Sequence, residues 1–410
     1  MRASKVIGAL MMALMVLSTV EEPRAQAPAA NLTLIDQVSG LVRRHFYDPA
    51  VAAGVWPKAE EKYVAALPTN PSDDEVETAV DAMLAALGAS HTDRYTMGEQ
   101  AYYELLDIFA RRDWRDEIRS LFPGGRIAYT GIGVVTKTVE GRTFLAGVYD
   151  GGPAERAGLL VGDEIIEADG RSFDPVASFA GKTGTAVTLK IRRIEGGPVE
   201  TVDVAPMQIR PNAFFLEAMR SSARVIERNG RDFGYIRIWS YARRDYHRLL
   251  IEELANGRLR NVEGLVLDLR GGWGGAQPDY AELFVGGAPI TTFVDRDGDE
   301  DVATFRWRRP LVVLVDEGTR SGKEVIAYGL QRQGITLVGQ RTAGALLGGR
   351  GFLLDDGSLL VLAVTDVRVE GKRLEGNGVI PNRLVPFNLP YARGRDPQLD
   401  AALRELADET

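Results

Sequence analysis

The chain has 410 residues, too many for one compact domain and enough for two or three, each with a core of its own. Hydrophobic residues make up 45% and charged residues 26%, an ordinary globular balance that excludes a disordered or membrane-embedded chain. With 57 acidic against 49 basic side chains, a net charge of -8 and no local basic stripe, the sequence excludes nucleic acid as a partner; with no cysteine it excludes disulfides, thiol nucleophiles, a lipidated N-terminal cysteine and Cys-ligated zinc.

Residues 1–27 have the pattern of a secretory signal: Arg2 and Lys5, an apolar run from Val6 to Val20, then Ala25-Gln26-Ala27 as a small-x-small cleavage site. The run is short for a membrane span, and an uncleaved anchor is the competing reading. Export without disulfides points to a bacterial periplasm, with no stable membrane insertion once the signal is cleaved.

Residues 28–122 are expected to be helical. Leu34, Val38, Leu41 and Val42 recur at helical spacing, and Ser72-x-x-Glu75 opens a second helix as a capping box, with Val76, Val80, Met83, Leu84 and Leu87 on one face. Gly88 stops that helix, so Ser90-His91 falls on the turn after it.

Pro123-Gly124-Gly125 marks a boundary, and residues 124–208 change to short strands separated by glycines. Gly131-Ile132-Gly133-Val134, the run from Gly152 to Ile166 and the alternating strand Val187–Ile191 resemble a PDZ domain. That resemblance implies a peptide-binding site at Gly131, Ile132, Gly133 and Val134, where backbone N–H groups meet a C-terminal carboxylate and the peptide adds as a strand to an open sheet edge.

Residues 212–390 alternate strands and helices. Gly264–Leu269 and Leu311–Val315 are continuous apolar strands of the kind buried on both faces, which implies an α/β layered domain with largely parallel strands. Residues 391–410 form a terminal helix and tail. The fold class expected is therefore multi-domain α/β: helical segment, small β-rich PDZ domain and layered catalytic domain.

Without cysteine and with only His45, His91 and His247, the catalytic vocabulary is small, and no His-x-x-x-His or His/carboxylate spacing suggests a metal or other cofactor. Ser321 lies between the strand ending at Val315 and a helix beginning near Glu324. At such a turn a serine hydroxyl is exposed beside free helix-start N–H groups that can hold an oxyanion, although serine there also serves as an ordinary helix cap. Gly271-Gly272-Trp273-Gly274-Gly275 follows the first buried strand and lets the backbone approach a substrate; no Gly-Lys-Ser/Thr follows, so it is not a phosphate loop.

Taken with the stretches Leu337–Gly344 and Leu374–Pro381, these segments resemble the serine peptidase family of tail-specific (C-terminal processing) proteases and tricorn core proteases. The resemblance implies a ClpP/crotonase-like catalytic fold, Ser321 as nucleophile, and an oxyanion hole made by Gly322 and Gly274. The processing branch uses a lysine at the position that is Ala345 here, and Lys323 would not occupy the same place. The tricorn branch takes its base from a Ser-His pair and its acid from a Glu-x-x-Gly-x-x-Pro stretch. Both are present, so the resemblance assigns His91 as base with Glu375 and Ser90 in support.

The function expected is a secreted serine endopeptidase acting on unfolded or tail-presented polypeptides, with activity rising through an apparent pKa between ~6 and 7.5. A Ser/Lys peptidase, a generic esterase and a silent peptide-binding protein are the alternatives.

Overall fold

The computed structural model describes residues 30–286 and 305–409, with 292–294, 296 and 300–302 between them. The predicted signal segment lies outside the described residues.

The helical N-terminal segment begins with α1 (Ala30–His45) and includes α2 (Asp73–Ala86). The Ser72/Glu75 capping box is formed, and the apolar face of α2 buries Val76, Val80, Met83 and Leu84. Gly88, at φ +60°, turns the chain out of α2 toward β1 (Asp93–Tyr95). After β1, α3 (Gln100–Phe109) packs through Tyr102, Leu105 and Leu106.

The second unit is a five-strand path in the order β2 (Val134–Val139), β3 (Arg142–Val148), β4 (Glu164–Ala168), β5 (Val187–Arg192) and β6 (Glu200–Val204). All its pairings are antiparallel, and Leu145, Ile165, Phe179, Val187, Leu189 and Ile191 fill its core. β2 lies at the edge of this sheet.

The third unit opens with α4 (Pro211–Ser222) and the hairpin β7 (Arg224–Arg228) and β8 (Arg231–Arg237), and continues through α5 (Arg244–Ala255) to β9 (Gly264–Asp268). Next come β10 (Leu311–Val315), α6 (Gly322–Arg332), β11 (Thr336–Gly339), the hairpin β12 (Gly348–Leu353) and β13 (Leu359–Thr365), β14 (Arg383–Leu384) and α7 (Pro397–Glu409). The main sheet has the order β7-β8-β9-β10-β11-β14, parallel from β8 onward, in keeping with the apolar runs of β9 and β10, broken only by Asp268 at the end of β9. Every residue of those two strands is buried.

A separate three-stranded sheet joins the N-terminal segment to the third unit. β1 pairs antiparallel with β13, with Asp93 opposite Val361 and Tyr95 opposite Leu359, and β13 pairs with β12. Arg94 locks this junction from a buried position, donating to Ser358 Oγ at 2.9 Å, Glu77 at 3.0 Å and Asp356 at 2.9 Å. The turn carrying Ser90-His91 is thereby held against the layered domain. Among the described residues no helix is long and apolar enough to cross a membrane.

Candidate active site

Ser321 is the N-cap residue of α6, at the end of a strand-to-helix turn. Its backbone angles, φ 56° and ψ -132°, are costly for a residue with a Cβ, by ~1–3 kcal/mol, and such strain concentrates where a side chain must be presented to a substrate. The turn is held by Glu324, fully buried one turn into the helix. Its carboxylate accepts from Ser321 N–H at 3.1 Å, Gly344 N–H at 2.8 Å, Ala345 N–H at 2.9 Å and the Thr342 hydroxyl at 2.6 Å. One buried side chain thus ties the Ser321 turn to the Thr342–Ala345 stretch. Sequence reasoning did not assign Glu324 this role, although Ser321-x-x-Glu324 has the capping-box spacing that could have signalled it.

The Gly271–Gly275 loop lies against this turn. A side chain at Gly274 would come within 2.5 Å of Ser321 Cβ, and one at Gly322 within 2.4 Å of the Ala276 nitrogen, so only glycine permits the approach. The Gly322 N–H belongs to the first helical turn and has no helical acceptor.

His91 also has positive φ, 56°, and its ring packs over Gly349. His91, Ser321, Gly274 and Gly322 line one cleft of roughly 470 Å³ between the layered domain and the N-terminal segment. Behind the imidazole runs a hydrogen-bonded line: His91 Nδ1 lies 3.0 Å from Ser90 Oγ, and the Ser90 hydroxyl donates to Glu375 Oε2 at 2.9 Å. A carboxylate can only accept, so Ser90 gives its one proton to Glu375 and must accept from Nδ1–H. That tautomer leaves Nε2 with its lone pair free. Glu375 is itself fixed by the N–H groups of Ser90 at 3.1 Å, Leu346 at 2.6 Å and Leu347 at 3.2 Å.

Burial, reinforced by the Arg320 charge and opposed by Glu375, lowers the His91 pKa from 6.5 to about 4. The sequence-based expectation of a rise through ~6 to 7.5 therefore shifts downward, because the imidazole is already neutral across that range.

Lys323 is fully buried and does not line this cleft. Its ammonium donates to the carbonyls of Ile238 at 2.5 Å and Gly271 at 2.8 Å, and burial with the nearby Arg237 charge lowers its pKa to about 7. Its contacts are those of a clamp on the glycine loop. At Ala345, whose carbonyl accepts from Ser321 N–H at 2.9 Å, the side chain is a methyl and offers no base. His247 is bonded to the Tyr241 hydroxyl at 2.9 Å and stacked on Tyr280, and His45 stacks on Phe352; neither lines the cleft.

The residues expected to bind a peptide tail, Gly131, Ile132, Gly133 and Val134, are all buried. A side chain at Gly133 would meet the Phe214 ring at 2.8 Å, and Gln100 of α3 donates to the Val134 carbonyl at 3.0 Å. No cluster able to hold a metal ion occurs among the described residues.

Comparison with known sequences matches residues 232–385 to Peptidase family S41 and residues 144–193 to the PDZ domain. Over 356 residues the chain is 27% identical to "Carboxyl-terminal-processing peptidase 3, chloroplastic" of Arabidopsis thaliana, covering 79% of this chain and 63% of that protein. It is 29% identical to "Putative tricorn protease homolog 2" of Streptomyces coelicolor, covering 90% of this chain but 31% of the relative, and 29% identical to the "Carboxyl-terminal-processing protease" of Synechocystis sp., covering 88% and 83%. The chain thus spans less than two thirds of the length of the first two. Among solved structures, the photosystem II D1 C-terminal processing protease aligns with a TM-score of 0.51 at 21% identity, covering 90% of this chain and 98% of that one. The tricorn protease aligns with 0.54 at 18%, covering 92% and 36%. At those identities the structures establish the fold. Residues 232–385 thus carry a Peptidase family S41 domain and residues 144–193 a PDZ domain, and the chain is similar to relatives of both the C-terminal processing and the tricorn type.

Proposed function

We propose that the chain is an exported endopeptidase that cleaves polypeptides through an acyl-enzyme on Ser321. The observation that carries this reading is the line Glu375–Ser90–His91, which runs from a fixed carboxylate to the cleft that holds Ser321. In the reaction Ser321 Oγ attacks the scissile carbonyl and His91 Nε2 takes its proton. The imidazolium is stabilised through Nδ1–H to Ser90 and on to Glu375. The N–H groups of Gly322 and Gly274 hold the oxyanion, a contribution of ~3–4 kcal/mol per donor in comparable sites. Collapse expels the amine with the proton from His91, and water attacking the acyl-enzyme by the same route regenerates Ser321.

The PDZ unit serves as a polypeptide-binding module, and the N-terminal 27 residues direct export, in the reading that fits a periplasmic enzyme. The Ser/Lys alternative has little support, because the Lys323 ammonium is committed to two carbonyls away from the cleft. The test is hydrolysis of unfolded casein and of short nitrophenyl esters by wild type and Ser321→Ala. The reading expects casein cleavage by wild type alone. Cleavage by a folded Ser321→Ala variant, or turnover of esters only, would overturn it.

A further inference from the structure

The Gly271–Gly275 loop has one side chain beyond glycine, that of Trp273. Gly271, Gly272 and Gly275 have positive φ, and glycine backbone has the most conformational freedom to lose on folding. Close packing leaves no room for another anchor: a Cβ at Gly272 would come within 1.9 Å of the Trp239 carbonyl oxygen, and one at Gly275 within 2.6 Å of Ala242 Cα. The loop is therefore held by its backbone and by one indole. Lys323 donates to the Gly271 carbonyl at 2.8 Å, the Trp273 N–H donates to the Trp239 carbonyl at 2.9 Å, and the Tyr241 N–H is shared between the carbonyls of Trp273 at 3.3 Å and Gly274 at 3.2 Å. None of these bonds uses the Gly274 N–H, which the peptidase reading gives to the oxyanion.

Trp273 Nε1 is the only polar atom of its side chain, and it donates to Glu104 Oε2 at 2.7 Å. Glu104 is buried on α3, in the N-terminal helical segment, and does not line the Ser321 cleft. Its other oxygen accepts from Gln100 Nε2 at 2.8 Å and from the Tyr149 hydroxyl at 3.4 Å, and Gln100 is fixed in turn by donating to the Val134 carbonyl at 3.0 Å. The environment of Glu104 is burial and these three hydrogen bonds, with no ion pair among the described residues. An acid buried without a cation is costly, and the shortest bond that this one makes is to the glycine loop.

We propose that Glu104 is a positioning residue of the active site, which through Trp273 sets where the Gly274 N–H points and hence the strength of the oxyanion hole. The proposal rests on the peptidase reading above and adds to it a residue that touches neither substrate nor Ser321. Trp273 itself lines the Ser321 cleft, and Arg320, the residue before Ser321, lies 5.7 Å from its ring centroid. A displaced indole would disturb Gly274 on the loop and Arg320 beside Ser321 together.

The test is kcat and KM for one fluorogenic peptide carrying a casein cleavage site, measured on the full chain and on Glu104→Leu, Glu104→Gln, Trp273→Phe and the double variant Glu104→Leu/Trp273→Phe, each checked for folding by circular dichroism. Glu104→Leu and Trp273→Phe are each expected to lower kcat by about 10- to 100-fold, a share of what deleting an oxyanion donor costs, with KM changed by no more than about three-fold. The double variant is expected to lose no more than the worse single one, because both changes remove the same bond. Glu104→Gln is expected to stay within about three-fold of wild type, since its amide oxygen still accepts from the indole and its NH₂ can donate to the Tyr149 hydroxyl. Wild-type kcat in folded Trp273→Phe overturns the proposal, as do losses that multiply in the double variant or a Glu104→Gln protein as slow as Glu104→Leu. A raised KM at unchanged kcat overturns it in favour of Trp273 as a substrate contact. If Glu104→Leu does not fold, Trp273→Phe and Glu104→Gln still decide it. All these outcomes leave the peptidase reading intact; if wild type cleaves neither casein nor the peptide, that reading fails and this role fails with it.

Discussion

At the scale of single residues, the site depends on which imidazole nitrogen carries a proton. Ser90 settles this by donating to Glu375 and accepting from His91 Nδ1. Ser90→Ala removes that acceptor and is expected to lower kcat by about 10- to 100-fold with little change in KM, because a misoriented base is penalised in the transition state. Glu375→Gln should lose a comparable amount. Profiles of kcat/KM against pH should rise near pH 4, where His91 loses its proton, and be level through neutrality; a half-maximum between ~6 and 7.5 would show that burial does not set the base. The stability sign follows. His91 and His247 both have pKa values lowered from 6.5 to about 4, so the unfolded chain binds more protons in that window and stability is lost as pH falls through it. Ser90-His91 and the Glu-x-x-Gly-x-x-Pro stretch were legible as motifs. The downward shift of His91 was not, since it depends on burial and on Arg320, which sequence spacing does not reveal.

At the scale of elements, the site is assembled by short pieces acting at long range. Strands Gly264–Asp268 and Leu311–Val315 were readable because continuous apolar runs have few other folded solutions, and the Ser72 capping box marked the helix that ends before His91. The three-residue strand Asp93–Tyr95 was not readable. Its register on Leu359–Val361 comes from a distant hairpin and the buried Arg94 network, neither of which leaves a local periodic signal. Lys323 is the element-scale clamp: its two bonds hold the glycine loop to the end of β8. Lys323→Met keeps much of the volume but leaves two carbonyls without a donor, an expected loss of ~2–4 kcal/mol by urea unfolding. The folded fraction is expected to retain His91-dependent activity; complete loss of turnover in a folded Lys323→Met protein would restore the lysine as a catalytic group.

At the scale of the whole molecule, three separated segments meet at one carboxyl group. Glu104 of α3 accepts from Trp273 of the glycine loop and from Tyr149 of the PDZ unit, so the helical segment, the glycine loop and the PDZ unit share a buried acid. Burial raises its pKa from 4.5 to about 7, so the folded chain keeps a proton that the unfolded chain releases, and stability falls as pH rises between those values. The two histidines act in the opposite direction over much of this range, so Glu104→Gln, which removes the falling contribution, should make the slope of Tm against pH more positive than in wild type, whereas an unchanged slope would show that Glu104 does not titrate here. The same long-range assembly brings His91 into the cleft of Ser321, with Glu375 behind it, from positions far apart in the chain. The most direct measurement is the rate at which a fluorophosphonate labels the protein in wild type, His91→Ala and Lys323→Met, with the modified residue located by mass spectrometry. The label is expected on Ser321, slowed on the order of 10²- to 10⁴-fold in His91→Ala and by no more than a few-fold in folded Lys323→Met. Labelling of His91→Ala at the wild-type rate, or at a residue other than Ser321, would contradict the account.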